Sequence, residues 1–351
     1  MAEYNSSNDV MELSEAVEKI SNNAQDVFVN KENISKVAKI MMRHLLKNIK
    51  DFHAYNNRKI AVAFLRDFED SVIANWLFVL HTLNFSLWHR TGTGQWKVND
   101  AEGYFGLCSA LIRATLEGKP IWDPHYYTKL TPDALEYIFR SDNGETHIPF
   151  LKLRLEILQD VGLILLHKYQ GTFLECIKSS DYDADKLMKL LFEEFSVYRD
   201  EIKYDGKRVR FLIKARSLVT DIWTFFNEFK LNTNEPMSTT FIDCRILQVL
   251  LKAKLLRYSD DLAKRCKNNN KPLLQESREE IEIRGCSLFV IQEICNELQR
   301  LSQHYIEQEP ILKDLNIWIV VDNLLFALLF VGIANESLNA YPLHYIETLH
   351  Y

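Results

Sequence analysis

Seventeen residues, Ile317 to Ile333 (IWIVVDNLLFALLFVGI), carry only two strongly polar side chains, Asp322 and Asn323. Such a run has to be removed from water as a whole. It falls short of the roughly 20 apolar residues a membrane-spanning helix needs, and it lacks basic flanks. The expectation is a fully buried central helix, which requires other elements packed around it. Asp322 then needs an explanation. Its neighbours at three and four positions, Trp318, Ile319, Leu325 and Phe326, are all apolar. A carboxylate there must be hydrogen-bonded, protonated or turned toward a polar ligand. A structural Asp paired with an Arg or a helix end is one reading; a ligand contact is the other.

The rest of the chain supplies the surrounding helices. Helical periodicity marks roughly 12–22, 33–50, 68–80, 102–117, 131–141, 149–168, 183–194, 208–229, 239–256, 279–306 and 311–335. Thr131-Pro132 reads as a cap followed by Pro at the first helical position, and Ser14 as another start. A short ribbon is expected over 202–212, turning at Asp205-Gly206, and a small loop or hairpin over Gln95 to Tyr104. Only 11 Gly and 8 Pro in 351 residues disfavour sandwiches, barrels and disordered linkers. The fold class is all-α, a compact multi-helix fold with at most a small β-ribbon. Residues 1–13 are read as a flexible N-terminus and 14–351 as a single helical domain.

A net charge of −6 argues against a general nucleic-acid binder. None of the six cysteines forms a CxxC pair or sits at zinc-ligand spacing with a His, so buried free thiols and no metal are expected. The polar, acidic start MAEYNSSNDVMELSE is unlike a signal or transit peptide, and a reducing, cytoplasmic setting is expected.

Four features carry possible chemistry. Asp243 lies at the edge of the apolar face made by Ile242, Ile246, Val249 and Leu250. Thr240-x-x-Asp243 reads as a capping box, a catalytic carboxylate is the other reading, and the two roles are compatible. The basic stretch 199–216 reads mostly as a solvated rim, but Lys214 follows Phe211-Leu212-Ile213 and precedes an apolar helix. Such a lysine could hold a phosphate as a point charge, since no glycine-rich phosphate loop exists. His53, in DFHAY, reads by itself as a surface-loop residue. The aromatic segment 75–88 reads as core, with Trp76, Phe85 and Trp88 also able to wall a pocket.

Six blocks resemble one family: NWLFVLHTLNFSLW (75–88), YRDEIKYDGKRVRF (198–211), TTFIDCRILQVL (239–250), LRYSDDL (256–262), EIEIRGCSL (280–288) and YPLHYIETLHY (341–351). They are similar, in consistent order from about Ser14 to Tyr351, to the queuosine salvage proteins, the queuosine 5′-phosphate N-glycosylase/hydrolases. The resemblance implies an all-helical fold like the helix-hairpin-helix DNA glycosylases, without DNA as substrate. It implies hydrolysis of the N-ribosidic bond of queuosine 5′-monophosphate, with queuine and ribose 5-phosphate as products. It implies no metal or organic cofactor. The partner expected is a small-molecule nucleotide, with no stable nucleic-acid binding, no membrane and a monomeric state.

Residue by residue, the resemblance places the catalytic aspartate on Asp243 and the base-packing phenylalanine on Phe241. It places the base-contacting histidine on His53 and the base-reading aspartate on Asp322, with Asn323 beside it. Lys214 falls where the family has a basic residue and is assigned to the phosphate, with Arg199 behind it. The chain departs from the pattern after Asp322. The family usually has Tyr there, then Leu-Trp-Asp; this chain has Asn323, then Leu325-Phe326-Ala327. His81 stands where the family often has Asp. The departures fall on base recognition and leave Asp243 in place. A non-catalytic nucleotide-binding protein and an N-ribosidase of altered base specificity are the alternative readings.

Overall fold

Helix starts follow local chemistry. The computed structural model describes residues 9–49, 64–65, 67–90, 93–226, 244–267, 271–313, 315–334 and 336–350. The chain opens with β1 (Val10–Met11), α1 (Leu13–Asn23), β2 (Val27–Val29) and α2 (Lys31–Lys47). Next come α3 (Asp70–Leu83), β3 (Lys97–Val98), β4 (Ala101–Glu102) and α4 (Gly103–Leu116). Five helices follow: α5 (Pro124–Tyr127), α6 (Pro132–Ile138), α7 (Leu151–Lys168), α8 (Phe173–Ser179) and α9 (Ala184–Glu194). Then come β5 (Glu201–Tyr204), β6 (Lys207–Arg210), α10 (Ile213–Phe226) and α11 (Cys244–Lys252). The last elements are β7 (Leu256–Tyr258), α12 (Asp260–Cys266), α13 (Arg278–Ser302) and α14 (Ile317–Ala334).

Thr131 caps α6 as expected, accepting from Ala134 N at 3.3 Å, with Pro132 in the first turn. Ser14 does not cap α1. That helix begins at Leu13 with Glu12 in the cap position, because Val10 and Met11 pair in parallel with Arg208 and Val209. Part of the stretch expected to be flexible is therefore sheet. The ribbon at Asp205-Gly206 forms as β5–β6, with positive φ at both turn residues (50° and 74°). The β3–β4 hairpin forms as well. The sheet content still exceeds one ribbon, since β2 and β7 add an antiparallel pair.

The molecule forms two compact units interleaved in sequence. The first takes Met1–Asn57, Glu201–Phe211 and Pro236–Glu347; the second takes Arg58–Asp200, Leu212–Glu235 and Thr348–Tyr351.

In the first unit α13 is the centre, packed by α1, α2, β2 and α14. Gly285 lets α1 come close, because a Cβ there would meet Ile20 at 2.5 Å. Its buried polar groups are paired. Glu280 and Arg284 form an ion pair at 2.6 Å, with Arg284 over the Phe211 ring at 4.3 Å. Glu282 accepts from the main-chain N–H groups of Gln25, Asp26 and Val27 (3.0, 2.7 and 3.2 Å), satisfying them at the entry to β2.

α14 is the apolar run, and it packs on α2, α11 and α13. It is not buried on every side. Val320 to Phe326 are buried, but Leu328, Val331 and Ile333 are 46%, 58% and 44% exposed. Near its end the covering on one side comes from Leu338, folded back against Gly332, where a Cβ would meet the leucine at 2.7 Å. Among the described residues no helix is long and apolar enough to cross a membrane.

In the second unit every residue of α3 from Ile73 to Leu83 is buried, with α4, α7, α8 and α10 packed around it. The aromatic segment makes core. Phe78 stacks on Phe173 at 4.4 Å and meets Phe195 edge-on at 5.0 Å. Asn75 Oδ1 accepts from Phe173 N at 2.6 Å and from the Thr172 hydroxyl at 3.2 Å, fixing the start of α8.

Candidate active site

His53, Phe241 and Asp243 lie outside the described residues. The elements they adjoin in sequence are described. α2 ends at Lys47, shortly before His53; α11 is described from Cys244, the residue after Asp243; α14 carries Asp322. These elements belong to one unit, and α14 packs on both of the others.

Asp322 and Asn323 sit in the second turn of α14, 2% and 4% exposed. Around them Val321, Leu325 and Phe326 are buried. Burial pushes the Cys295 thiol well above its ordinary pKa, and the Asp322 charge adds to that shift. Hydrogen bonds made by a carboxylate in such apolar surroundings are strong, and mismatches there are costly. Ala327, one turn on from Asn323, is half-buried.

α11 buries Ile246, Leu247, Val249 and Leu250 together with one polar residue, Gln248, at 2% exposure. The Gln248 amide donates to Leu338 O at 3.1 Å and to Tyr341 O at 2.7 Å. The sequence signal for it was a lone amide inside the apolar run Ile246-Leu247-Gln248-Val249-Leu250.

The two cations assigned to a phosphate lie in the other unit. Lys214 is 2% exposed, with its Nζ 3.5 Å from Thr82 O and over the rings of Phe85 (5.1 Å) and Tyr198 (5.9 Å). Burial, then the charge of Arg154, holds its pKa well below the usual lysine value, with Asp200 acting the other way. Arg154 donates to Pro149 O at 2.8 Å, Phe85 O at 2.6 Å and Leu83 O. Burial lowers its pKa to about 9, which leaves it charged at neutral pH. Both cations thus sit where α3 ends and its last carbonyls need positive partners. Arg199 is exposed and donates to Phe192 O at 3.0 Å and Glu193 O at 2.8 Å, closing the C-terminus of α9.

His81 pairs with Asp221, Nε2 to Oδ2 at 2.8 Å, both almost fully buried. The five described cysteine side chains, Cys108, Cys176, Cys266, Cys286 and Cys295, are free and buried, and burial raises each thiol's pKa. They are unreactive as nucleophiles at neutral pH.

The family model described as "Queuosine salvage protein" matches residues 65–351. The chain is 31% identical over 354 residues to the queuosine 5′-phosphate N-glycosylase/hydrolase of Bos taurus, covering 96% of this chain and 98% of that protein. It is 32% identical to the Mus musculus protein of the same name, covering 85% and 89%. The relative of that name in Schizosaccharomyces pombe is 30% identical, covering 84% and 88%. With the match running through α11, α13 and α14, the chain belongs to the queuosine salvage protein family.

Proposed function

We propose that this protein hydrolyses the N-ribosidic bond of queuosine 5′-monophosphate, releasing queuine and ribose 5-phosphate. The observation that carries the reading is the buried pair Asp322–Asn323 on α14, packed against α11, the helix that follows Asp243 in the chain. The relatives' shared name supports the same reaction. In the same reading, the helical fold is similar to that of the helix-hairpin-helix DNA glycosylases.

The bond between C1′ and the base nitrogen breaks, and its electron pair leaves with the base. A 7-deazapurine lacks the ring nitrogen that glycosylases usually protonate, so activating the leaving group is difficult. Positive charge therefore builds on the ribose as an oxocarbenium ion. The Asp243 carboxylate stabilises that charge, and it orients and deprotonates the water that adds to C1′, the proton ending on the departing base nitrogen. Phe241 packs on the base and His53 contacts it. Asp322 accepts hydrogen bonds from the base's N–H groups, with Asn323 beside it. Lys214 and Arg199 are less suited to the phosphate than their sequence suggests, because both face main-chain carbonyls at helix ends.

The test is release of free base from queuosine 5′-monophosphate by purified protein. Asp243→Asn is expected to lower kcat by about a thousandfold or more while leaving the melting temperature in place. Near-normal turnover in that variant would remove Asp243 from the mechanism. Ala327, where the family usually has a second aspartate, favours one alternative, a protein that binds the nucleotide without turning it over. Thermal stabilisation by the nucleotide without any product would establish that alternative. A panel of purine and deazapurine 5′-nucleotides separates out an altered base preference.

A further inference from the structure

We infer that Gln248 is a positioning residue of this site: its amide clasps α11 to the chain leaving α14 and so fixes the helix after Asp243 against the helix that carries Asp322. The inference rests on the glycosidase reading above.

A buried amide is usually satisfied by main chain close to it in sequence. Gln248 reaches instead to two carbonyls some ninety residues further on, Leu338 O and Tyr341 O, at 3.1 and 2.7 Å. Its Oε1 faces Arg245 Nη1 at 3.4 Å, so the amide is held at both ends. Lys252, one turn later on α11, adds a hydrogen bond to the Ser337 hydroxyl. The target segment is itself fixed. Leu338 is 1% exposed and lies where a Cβ on Gly332 would be, so the chain folds back tightly onto α14. α14 also packs on α13 and is thus held by a second helix.

Holding matters because α11 and α14 pack on each other, one following Asp243 in the chain and the other carrying Asp322. A slip of one residue moves a helix by about 1.5 Å along its axis. A displacement of about 1 Å at a reacting group can cost on the order of a hundredfold in rate. Two directional hydrogen bonds from one rigid amide prevent that slip.

The experiment uses the full chain, queuosine 5′-monophosphate and three variants: Gln248→Met, which keeps the shape and removes both donors; Gly332→Ala, which presses on Leu338 from the α14 side; and the double variant. The folded fraction is measured by circular dichroism, and rates are expressed per folded molecule. Each single variant is expected to lose about tenfold or more in kcat/KM, mostly in kcat, with the double variant losing no more than the worse single. A purely structural role predicts a lower melting temperature with unchanged kcat and KM per folded molecule, and that result overturns the inference. Multiplicative losses in the double variant overturn it too, because the two positions would then act separately. Should Gln248→Met fail to fold, Gly332→Ala, which leaves the amide intact, decides alone. Wild-type protein without turnover removes the glycosidase reading and this inference with it; active wild type with unaffected variants removes this inference only.

Discussion

α10 and α14 each bury charged residues, and for different reasons. Lys214 on α10 lies beside the end of α3, where carbonyls of the last turn point out of the helix and a cation is wanted. Arg154 does the same from α7, and each of its donated bonds ends on a main-chain oxygen. Asp322 sits within α14, where the main chain already makes its own hydrogen bonds. Helix-end carbonyls face the first charge; the second lies among buried apolar residues of its own helix. Burial alone therefore does not mark a functional residue. What the buried group faces does.

The comparison can be broken most sharply at Asp322. Asp322→Asn keeps the shape and removes the charge, so stability should stay within about 1 kcal/mol or rise slightly, since an apolar wall gains nothing from a buried charge. kcat/KM for the nucleotide should fall by about a hundredfold through lost base recognition. Denaturant unfolding and steady-state kinetics together check this. Large destabilisation with normal kinetics would make Asp322 structural and erase the contrast with Lys214.

A pH series sharpens the comparison from inside the first unit. Burial, then the charge of Arg284, lowers His344 to about 3 from its ordinary 6.5. Between those values the unfolded chain binds a proton that the folded chain refuses. The stability present above pH 6.5 is therefore lost as pH falls toward 3. The slope from this group approaches about 1.4 kcal/mol per pH unit. His344→Asn should flatten unfolding free energy over that window, as read by urea titrations at several pH values. An unchanged slope would assign the acid sensitivity to other groups.

The smallest effect is expected at Lys214. Its depressed pKa means that burial already opposes its charge, so Lys214→Met should shift stability by about 1 kcal/mol or less. KM for the nucleotide should stay the same. A tenfold rise in KM with the fold intact would return Lys214 to the phosphate.

Much of this was legible beforehand. The burial of Asp322 followed from four apolar neighbours on one helix, and the β5–β6 turn from Asp205-Gly206. Other features left little local trace. β1 and β2 are strands of two and three residues, too short for a repeat, and they pair with β6 and β7 far along the chain. α5, α8 and α12, of four and seven residues, are likewise shorter than the windows that reveal helical periodicity. The full burial of α14 was overestimated, because hydropathy counts apolar residues and cannot show which side its neighbours leave open.

Sequence by itself determined the helical class, the family and the identity of the carboxylate that must be explained within an apolar helix. Those properties reside in local periodicity and in residue type. Only tertiary structure decided that Lys214 and Arg154 serve the end of α3, and that Gln248 reaches across to the chain beyond α14. A hydrogen bond depends on where two distant segments meet in space, and that meeting is set by packing of the whole unit rather than by any window of residues.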